Sequence, residues 1–115
     1  MIARAHRFHG YGSLRHVYAR GQVVRGPWFA LKYLKNDRRK TYRAAVVVSK
    51  KVHKSAIVRN RIRRRLYEAL RLQLPKDLPP YDIVLIVYSE SVADTPATEL
   101  HAQVASQLKK AKLIA

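Results

Sequence analysis

The chain has 115 residues, of which 24 are Lys or Arg and seven are Asp or Glu, so its net charge at pH 7 is +17. This length fits one domain with one modest core, and a hydrophobic content of 48% excludes a disordered basic tail. The absence of cysteine excludes a disulfide framework and a thiolate zinc site. No apolar run is long enough for a signal peptide or a membrane span, so we expect a cytoplasmic protein without a membrane partner.

The positive charge is concentrated in the first two thirds of the chain. Residues 1–72 carry 20 Lys and Arg against two acids, whereas residues 73–115 carry four Lys against five acids. A phosphate backbone would offset the repulsion, because each neutralised phosphate releases a condensed counterion. We therefore expect the first two thirds to contact a polyanion and the last third mostly to complete the fold.

The amino-terminal part predicts a basic arm followed by a short helix. We expect residues 1–12 to form the arm of a single polyanion-binding domain that spans residues 1–115. Ser13 is a plausible N-cap for a helix over residues 14–20, and Gly21 stands where a helix C-cap belongs. On this helix Tyr18 is the best candidate for stacking a nucleic-acid base.

Three β-like runs follow, each bounded by turn residues, at positions 22–24, 28–34 and 42–49. Side chains alternate along a strand, so one side of the second run carries Phe29, Leu31 and Tyr33. If that side packs under a large helix, an outward-facing set lies beside the short helix. This set consists of Lys32, Val47 and Ser49.

The stretch from Lys50 to Arg71 holds nine Lys or Arg and only one acid, Glu68. At helical spacing its apolar residues share one side: Val58, Ile62, Leu66, Ala69 and Leu70. The opposite side carries Asn60, Arg61, Arg64 and Arg71. Ser55 could cap this helix, and Pro75 would stop it after residue 72 or 74.

Two interpretations of this helix are possible: a solvated charged face or a polyanion site. An ordinary solvated helix alternates Lys and Arg with acids, which keeps the local field small. That balance is missing here, so the pattern favours the polyanion site.

The remaining elements complete an α-β-β-β-α-β-α order. A Pro-rich connector at 75–80 precedes a nearly continuous apolar run at 82–88, which is typical of a central strand. Thr95 or Pro96 then opens a last helix that extends to about Lys112. The fold class is therefore α+β, an α/β sandwich with helices packed on a mixed four-stranded sheet.

The acidic residues are scattered, and no pair has a spacing that would place both on one element facing one site. A protein nuclease usually gathers several carboxylates around Mg²⁺ or pairs a His base with a cation. We therefore predict no catalytic residue, no protein metal ligand and no small-molecule substrate. A metal-dependent nuclease acting alone is the less favoured alternative.

The residues around the basic helix resemble those of a known family, the protein subunit of bacterial ribonuclease P. Val48-Ser49-Lys50-Lys51, followed after a short loop by Arg59-Asn60-Arg61-Ile62-Arg63-Arg64, is similar to the signature of that family, which is centred on an Arg-Asn-Arg triplet. The likeness extends upstream to Arg7-Phe8 and Val17-Tyr18, and downstream to Asp82-Ile83-Val84-Leu85-Ile86. It covers roughly the whole chain.

The resemblance implies a role in a ribonucleoprotein endonuclease that removes the 5′ leader from precursor tRNA. In that family a catalytic RNA carries the chemistry with Mg²⁺ that it holds itself, and the protein contributes affinity and positioning. The implied contacts to the catalytic RNA are Lys50, Lys51, Arg59, Asn60, Arg61, Arg63 and Arg64. The implied cleft for the leader contains Leu14, Tyr18, Lys32, Val47 and Ser49.

The resemblance also implies a left-handed βαβ crossover, which spacing cannot reveal and which the usual rule opposes. Three positions depart from the family pattern: Leu14 replaces a frequent aromatic, Lys32 replaces Tyr, and Tyr67 replaces a frequent Arg. The first two shift the expected leader contacts toward apolar contact and phosphate pairing. Composition alone fits a ribosomal or other structural RNA-binding protein equally well, and this is the main alternative.

Overall fold

The computed structural model describes residues 11–115 and the side chains from residue 14 onward. The elements follow the predicted order, with one added 3₁₀ turn before the last helix. They are α1 (Tyr11–Arg20), β1 (Gln22–Arg25), β2 (Phe29–Lys35), β3 (Arg43–Val48), α2 (Ala56–Gln73), β4 (Tyr81–Val87), the 3₁₀ turn (Glu90–Ala93) and α3 (Ala97–Lys110).

The predicted boundaries are close to the observed ones, with one correction at the amino terminus. Helix α1 begins at Tyr11, so Ser13 lies inside its first turn and is not the N-cap. The rest of the predicted arm, residues 1–10, lies outside the described residues. The cap at the start of α2 is confirmed, because the Ser55 side chain accepts a hydrogen bond from Val58 N at 3.4 Å.

The four strands form one mixed sheet in the order β1-β2-β4-β3. Strands β1 and β2 are antiparallel, as are β2 and β4, while β3 runs parallel to β4. Helix α2 therefore joins two neighbouring parallel strands. The register places the carboxyl ends of β3 and β4 side by side, with Val48 opposite Val87.

The main core lies between one face of the sheet and helices α2 and α3. Phe29 and Leu31 from β2 are fully buried there, as the alternation predicted, and Tyr33 packs against the same core. Helix α2 contributes Ile62, Leu66, Ala69 and Leu70. Each large side chain buried this way contributes about 1.5–3 kcal/mol, which offsets the repulsion among arginines on the outer face.

A smaller apolar cluster lies on the other face of the sheet, under α1. Val17 of α1 is fully buried against Ala45 and Val84, and Leu14 and Val47 pack around them. Because α1 has only ten residues, it covers only part of this face. None of the helices within residues 11–115 is long and apolar enough to cross a membrane.

A buried ion pair that the sequence did not predict fastens the sheet at one end. Arg43 donates from Nε and Nη2 to the two carboxylate oxygens of Asp82, both at 2.9 Å, and the two residues are cross-strand partners. Asn36, in the turn after β2, donates to Asp82 Oδ2 at 2.9 Å. One carboxylate therefore joins β3, β4 and the β2–β3 turn.

We expect Asp82→Asn to lower the free energy of unfolding by about 3–5 kcal/mol, because it leaves the Arg43 guanidinium buried opposite a neutral group. Urea unfolding measures the change. Asp77→Asn in the exposed connector is the matched control and should stay within about 0.5 kcal/mol of the parent. Equal unfolding midpoints for the two variants would contradict a structural role for the pair.

Candidate nucleic-acid interface

Helix α2 presents its charged side to solvent, as its sequence periodicity predicted. Ile62, Leu66, Ala69 and Leu70 are buried, whereas Asn60, Arg61, Arg64 and Arg71 are exposed. The predicted RNA contacts all lie in the first half of this helix or in the loop before it. We call Lys50, Lys51, Arg59, Asn60, Arg61, Arg63 and Arg64 the basic surface.

Arg59 holds the loop that leads into α2. Its Nη1 donates to the backbone oxygens of His53 and Lys54, both at 2.9 Å. His53 Nδ1 in turn accepts from Ser55 N at 3.0 Å. These bonds order the segment after Lys50 and Lys51, whose side chains are exposed. Arg59 therefore supports the basic surface from within the protein, a role that spacing alone did not reveal.

Two arginines of α2 are anchored to backbone carbonyls at and just after the 3₁₀ turn. Arg61 Nε donates to Ala93 O at 2.8 Å, and Arg65 donates to Val92 O at 2.6 Å and to Thr95 O. Carbonyl acceptors fix a guanidinium without neutralising its charge. The Arg61 side chain also stays 62% exposed, and Asp94, 3.8 Å away, is 87% exposed, so this contact screens it weakly.

A shallow groove of about 570 Å³ runs along the outer side of α2. It is lined by Ile57, Asn60, Arg61, Arg64 and Arg65. The first four follow the i, i+3, i+4, i+7 spacing of one helix face. Within residues 14–115 Arg64 has no hydrogen bond or salt bridge, while Arg63 donates to Asn60 Oδ1. The groove therefore combines fixed and free guanidinium groups, a combination suited to several phosphates of one strand.

Four of the predicted leader-binding residues lie in or beside α1 on the sheet face that this helix partly covers, and we call this region the α1 cleft. Leu14 and Val47 belong to the same apolar cluster. Lys32 Nζ donates to Tyr18 O at 3.1 Å and lies 5.4 Å from the centre of the Tyr18 ring, a cation–π distance. Ser49 follows the last residue of β3 and is exposed.

Tyr18 can offer a neutral ring to a ligand. Its side chain is 37% exposed, and burial of the remainder raises the pKa of its phenol above the usual 10.0. The ring therefore carries no negative charge at neutral pH that would repel a phosphate strand. Lys32 beside it supplies a positive charge, so the pair can contact a base and a neighbouring phosphate.

Tyr67, one of the departures from the family pattern, has a structural role. Its hydroxyl accepts a hydrogen bond from Val46 N at 3.2 Å, and its ring packs against the main core. Strand β3 is an edge strand and Val46 is buried, so this bond satisfies a backbone donor that would otherwise lack a partner. An Arg at this position would add a positive charge but could not accept this hydrogen bond.

Sequence reasoning missed two residues of the groove. Arg65 was not among the predicted contacts, although its spacing from Arg61 places it on a neighbouring turn. Ile57 is 82% exposed, and an apolar residue beside Asn60 and Arg61 would have been the available signal. Within residues 11–115 no group of three or more His, Cys, Asp or Glu is arranged to hold a metal ion.

A basic helix on one face of a sheet, with a cation beside an aromatic ring on the other face, is typical of a nucleic-acid-binding protein. Comparison with known proteins makes the class specific. The family model for ribonuclease P matches residues 2–112. The chain belongs to the ribonuclease P protein family.

Relatives and solved structures agree with this assignment. The ribonuclease P protein component of Chloroflexus aurantiacus is 37% identical over 113 residues, covering 98% of this chain and 82% of the relative. The fold matches the ribonuclease P protein of Staphylococcus aureus with a TM-score of 0.83 at 23% identity, over 97% of this chain and 100% of that one. The Thermotoga maritima protein matches with a TM-score of 0.76 at 21% identity, over 90% and 96%.

Substitutions at the adjacent residues Arg64 and Arg65 should distinguish an effect on RNA binding from an effect on stability. Arg64→Ala removes a free cation, so we expect weaker binding to ribonuclease P RNA and an unchanged free energy of unfolding. The salt slope, which is the slope of log K for RNA binding against log salt concentration, should become smaller in magnitude by about one. Arg65→Ala removes charged hydrogen bonds to two carbonyls, so we expect the free energy of unfolding to fall by about 1–3 kcal/mol. Filter binding across a salt series and urea unfolding measure the two effects. Identical profiles for both variants would contradict this division.

Proposed function

We propose that the chain is the non-catalytic protein subunit of a tRNA 5′-maturation endoribonuclease whose active site is RNA. In this proposal the basic surface binds the catalytic RNA and the α1 cleft binds the 5′ leader of precursor tRNA. The complex would act in the cytoplasm. The observation that carries the proposal is the row of exposed guanidinium groups along the first half of α2, part of it anchored to carbonyl oxygens, in a member of this family.

Two carboxylates of the protein are paired with arginines, which supports placing the chemistry in the RNA. Asp82 is bound by Arg43 inside the protein, and Glu68 accepts from Arg71 Nε at 3.0 Å. The hydrogen bond from Arg71 lowers the pKa of Glu68, so this group is a poor proton donor at neutral pH. We infer that Mg²⁺ is held mainly by the RNA.

The net charge explains what the protein would contribute. Precursor tRNA and catalytic RNA are both polyanions, and their approach is opposed by phosphate repulsion. If the basic helix and the amino-terminal arm together neutralise about six to eight phosphates, the slope of log K against log salt is about −4 to −7, and part of this repulsion is screened. The same work is otherwise done by Mg²⁺, so the protein should reduce the Mg²⁺ concentration that the RNA needs.

The α1 cleft is suited to a short single strand. Its floor is apolar around Val47 and its wall carries the Tyr18–Lys32 pair. A leader strand could place a base against the ring while a phosphate approaches Lys32. Mature tRNA has no leader, so these contacts would favour precursor over mature tRNA.

Reconstitution tests the proposed function. We expect the protein alone to leave precursor tRNA intact, and its addition to ribonuclease P RNA to lower the Mg²⁺ concentration required for 5′ cleavage several-fold. A Mg²⁺ titration of cleavage with and without protein measures this effect. Unchanged Mg²⁺ dependence would reject the proposal, and co-purification with ribosomal subunits in place of one RNA of a few hundred nucleotides would favour the structural alternative.

Substitution of Tyr18 tests the α1 cleft separately. Tyr18→Ala should weaken binding of precursor tRNA by about 5- to 150-fold, since base stacking contributes about 1–3 kcal/mol, and should leave mature tRNA binding unchanged. Tyr18→Phe retains the ring and is the matched control. The measurement is the ratio of precursor to mature tRNA affinity in the reconstituted complex. Equal losses for both substrates would remove Tyr18 from the leader site.

A further inference from the structure

A second basic site lies away from both the basic surface and the α1 cleft. It is a pocket of about 470 Å³ where the end of α1, the end of β2, the start of β4 and the end of α3 meet. Four cations and two aromatic rings line it, and none of its lining residues is acidic: Arg20, Lys35, Lys110, Lys112, Tyr33 and Tyr81. We call it the distal basic pocket.

Strand register shows how far this pocket lies from the basic surface. Lys35 pairs with Tyr81 at one end of the sheet, whereas Phe29 pairs with Val87 at the other. The loop that carries Lys50 and Lys51 leaves the sheet at the Val87 end, beside Val48. Strands β2 and β4 have seven residues each, so the two sites are separated by about 20 Å.

The walls of the pocket are built by specific contacts. Gly21 lets α1 approach β2 closely, because a Cβ at this position would lie 2.5 Å from Val17 O and 3.2 Å from Tyr33 O. The Tyr33 hydroxyl donates to Gln22 Oε1 at 2.8 Å, and the rings of Tyr33 and Tyr81 are 6.3 Å apart with a tilt of 56°. This framework holds the aromatic floor in place while the cations surround it.

Lys112 lines the pocket from a backbone conformation that is unfavourable for a lysine, and a merely solvated cluster of charges would not require this conformation. Lys112 has a φ of 60°, in the left-handed region. It ends α3 in a Schellman motif, with Leu113 N bonded to Leu108 O and Lys112 N to Lys109 O, both at 3.0 Å. Glycine is the usual residue at this position because a Cβ is disfavoured there.

The ordinary explanation of lysines at a helix end covers only part of this arrangement. A cation near the carboxyl end of α3 interacts favourably with the helix dipole, which accounts for Lys110. It does not account for a lysine at a position whose left-handed backbone favours glycine. Lys35 is only weakly paired, since it is 3.9 Å from Asp37 and both side chains are largely exposed.

We propose that the distal basic pocket binds a backbone phosphate of RNA, with the adjoining nucleoside against Tyr33 and Tyr81. The exposed turn Arg38, Arg39 and Lys40 lies at the same end of the sheet and extends the positive field. The protein would then hold RNA at both ends of its sheet, at the basic surface and at the distal basic pocket. This contact goes beyond the two sites of the proposed function.

Replacing Lys112 with glycine should change stability and RNA affinity in opposite directions. Lys112→Gly should raise the melting temperature by about 2–5 °C, because glycine relieves the left-handed strain. The same variant should weaken binding to ribonuclease P RNA by about 3- to 10-fold and reduce the salt slope by about one. Lys112→Arg keeps the charge and should retain affinity.

Lys109→Gln is the matched control, because it removes the same charge from the last turn of α3 but does not line the pocket. Its affinity should stay within about twofold of the parent. If Lys112→Gly binds RNA no more weakly than Lys109→Gln, the pocket is not an RNA site. If Arg64→Ala loses affinity in the same assay while Lys112→Gly does not, the pocket proposal fails and the proposed function stands.

Two probes identify the ligand. In nuclear magnetic resonance titrations a single-stranded ten-nucleotide RNA should shift the ring signals of Tyr33 and Tyr81 and the amide of Lys112. Inorganic phosphate at the same phosphate concentration should shift the Lys112 amide only weakly and leave the rings unchanged. Equal binding of inorganic phosphate would assign a free-anion site and overturn the RNA assignment.

Discussion

The burial of one side of α2 against the sheet is the interaction on which the rest of the structure depends. Ile62, Leu66, Ala69 and Leu70 are each fully buried, and they fix the rotation of the helix about its axis. That rotation decides which arginines face outward. Since the buried stripe offsets the repulsion among the cations, the protein can maintain a concentrated positive surface, and the exposed contact between Arg61 and Asp94 screens it only weakly.

Backbone carbonyls then hold part of this positive surface in place. Arg59, Arg61 and Arg65 all donate to carbonyl oxygens of neighbouring loops, so their guanidinium groups lose freedom before any RNA arrives. A carboxylate would have fixed them equally well but would have cancelled the charge. Both carboxylate oxygens of Asp82 accept hydrogen bonds from Arg43, inside the protein and away from this surface. Pre-ordered donors of this kind lower the entropy cost of binding a phosphate strand.

The sheet separates three basic features in space. The basic surface lies at the carboxyl ends of β3 and β4, the α1 cleft crosses the opposite face, and the distal basic pocket lies at the other end of the strands. Because β2 pairs with β4 along its full length, these features are held at fixed separations. A rigid body with several cationic sites suits the task of holding more than one polyanion at once.

The sequence by itself determined the element order, the basic side of α2 and its Ser55 cap. It also determined, through the alternation of side chains along a strand, that Lys32 and Val47 lie on the other face of the sheet from Phe29 and Leu31. These features follow from local periodicity and capping, which act over a few residues. The tertiary structure alone decided which cations are anchored, because the carbonyls of Val92 and Ala93 lie about 30 residues from Arg61 and Arg65. It also decided the burial of Asp82 with Arg43 and the meeting of Arg20, Lys35 and Lys112, since these contacts form only when distant segments of the chain meet. Spacing encodes the face on which a residue lies, and only the packed chain determines its neighbours.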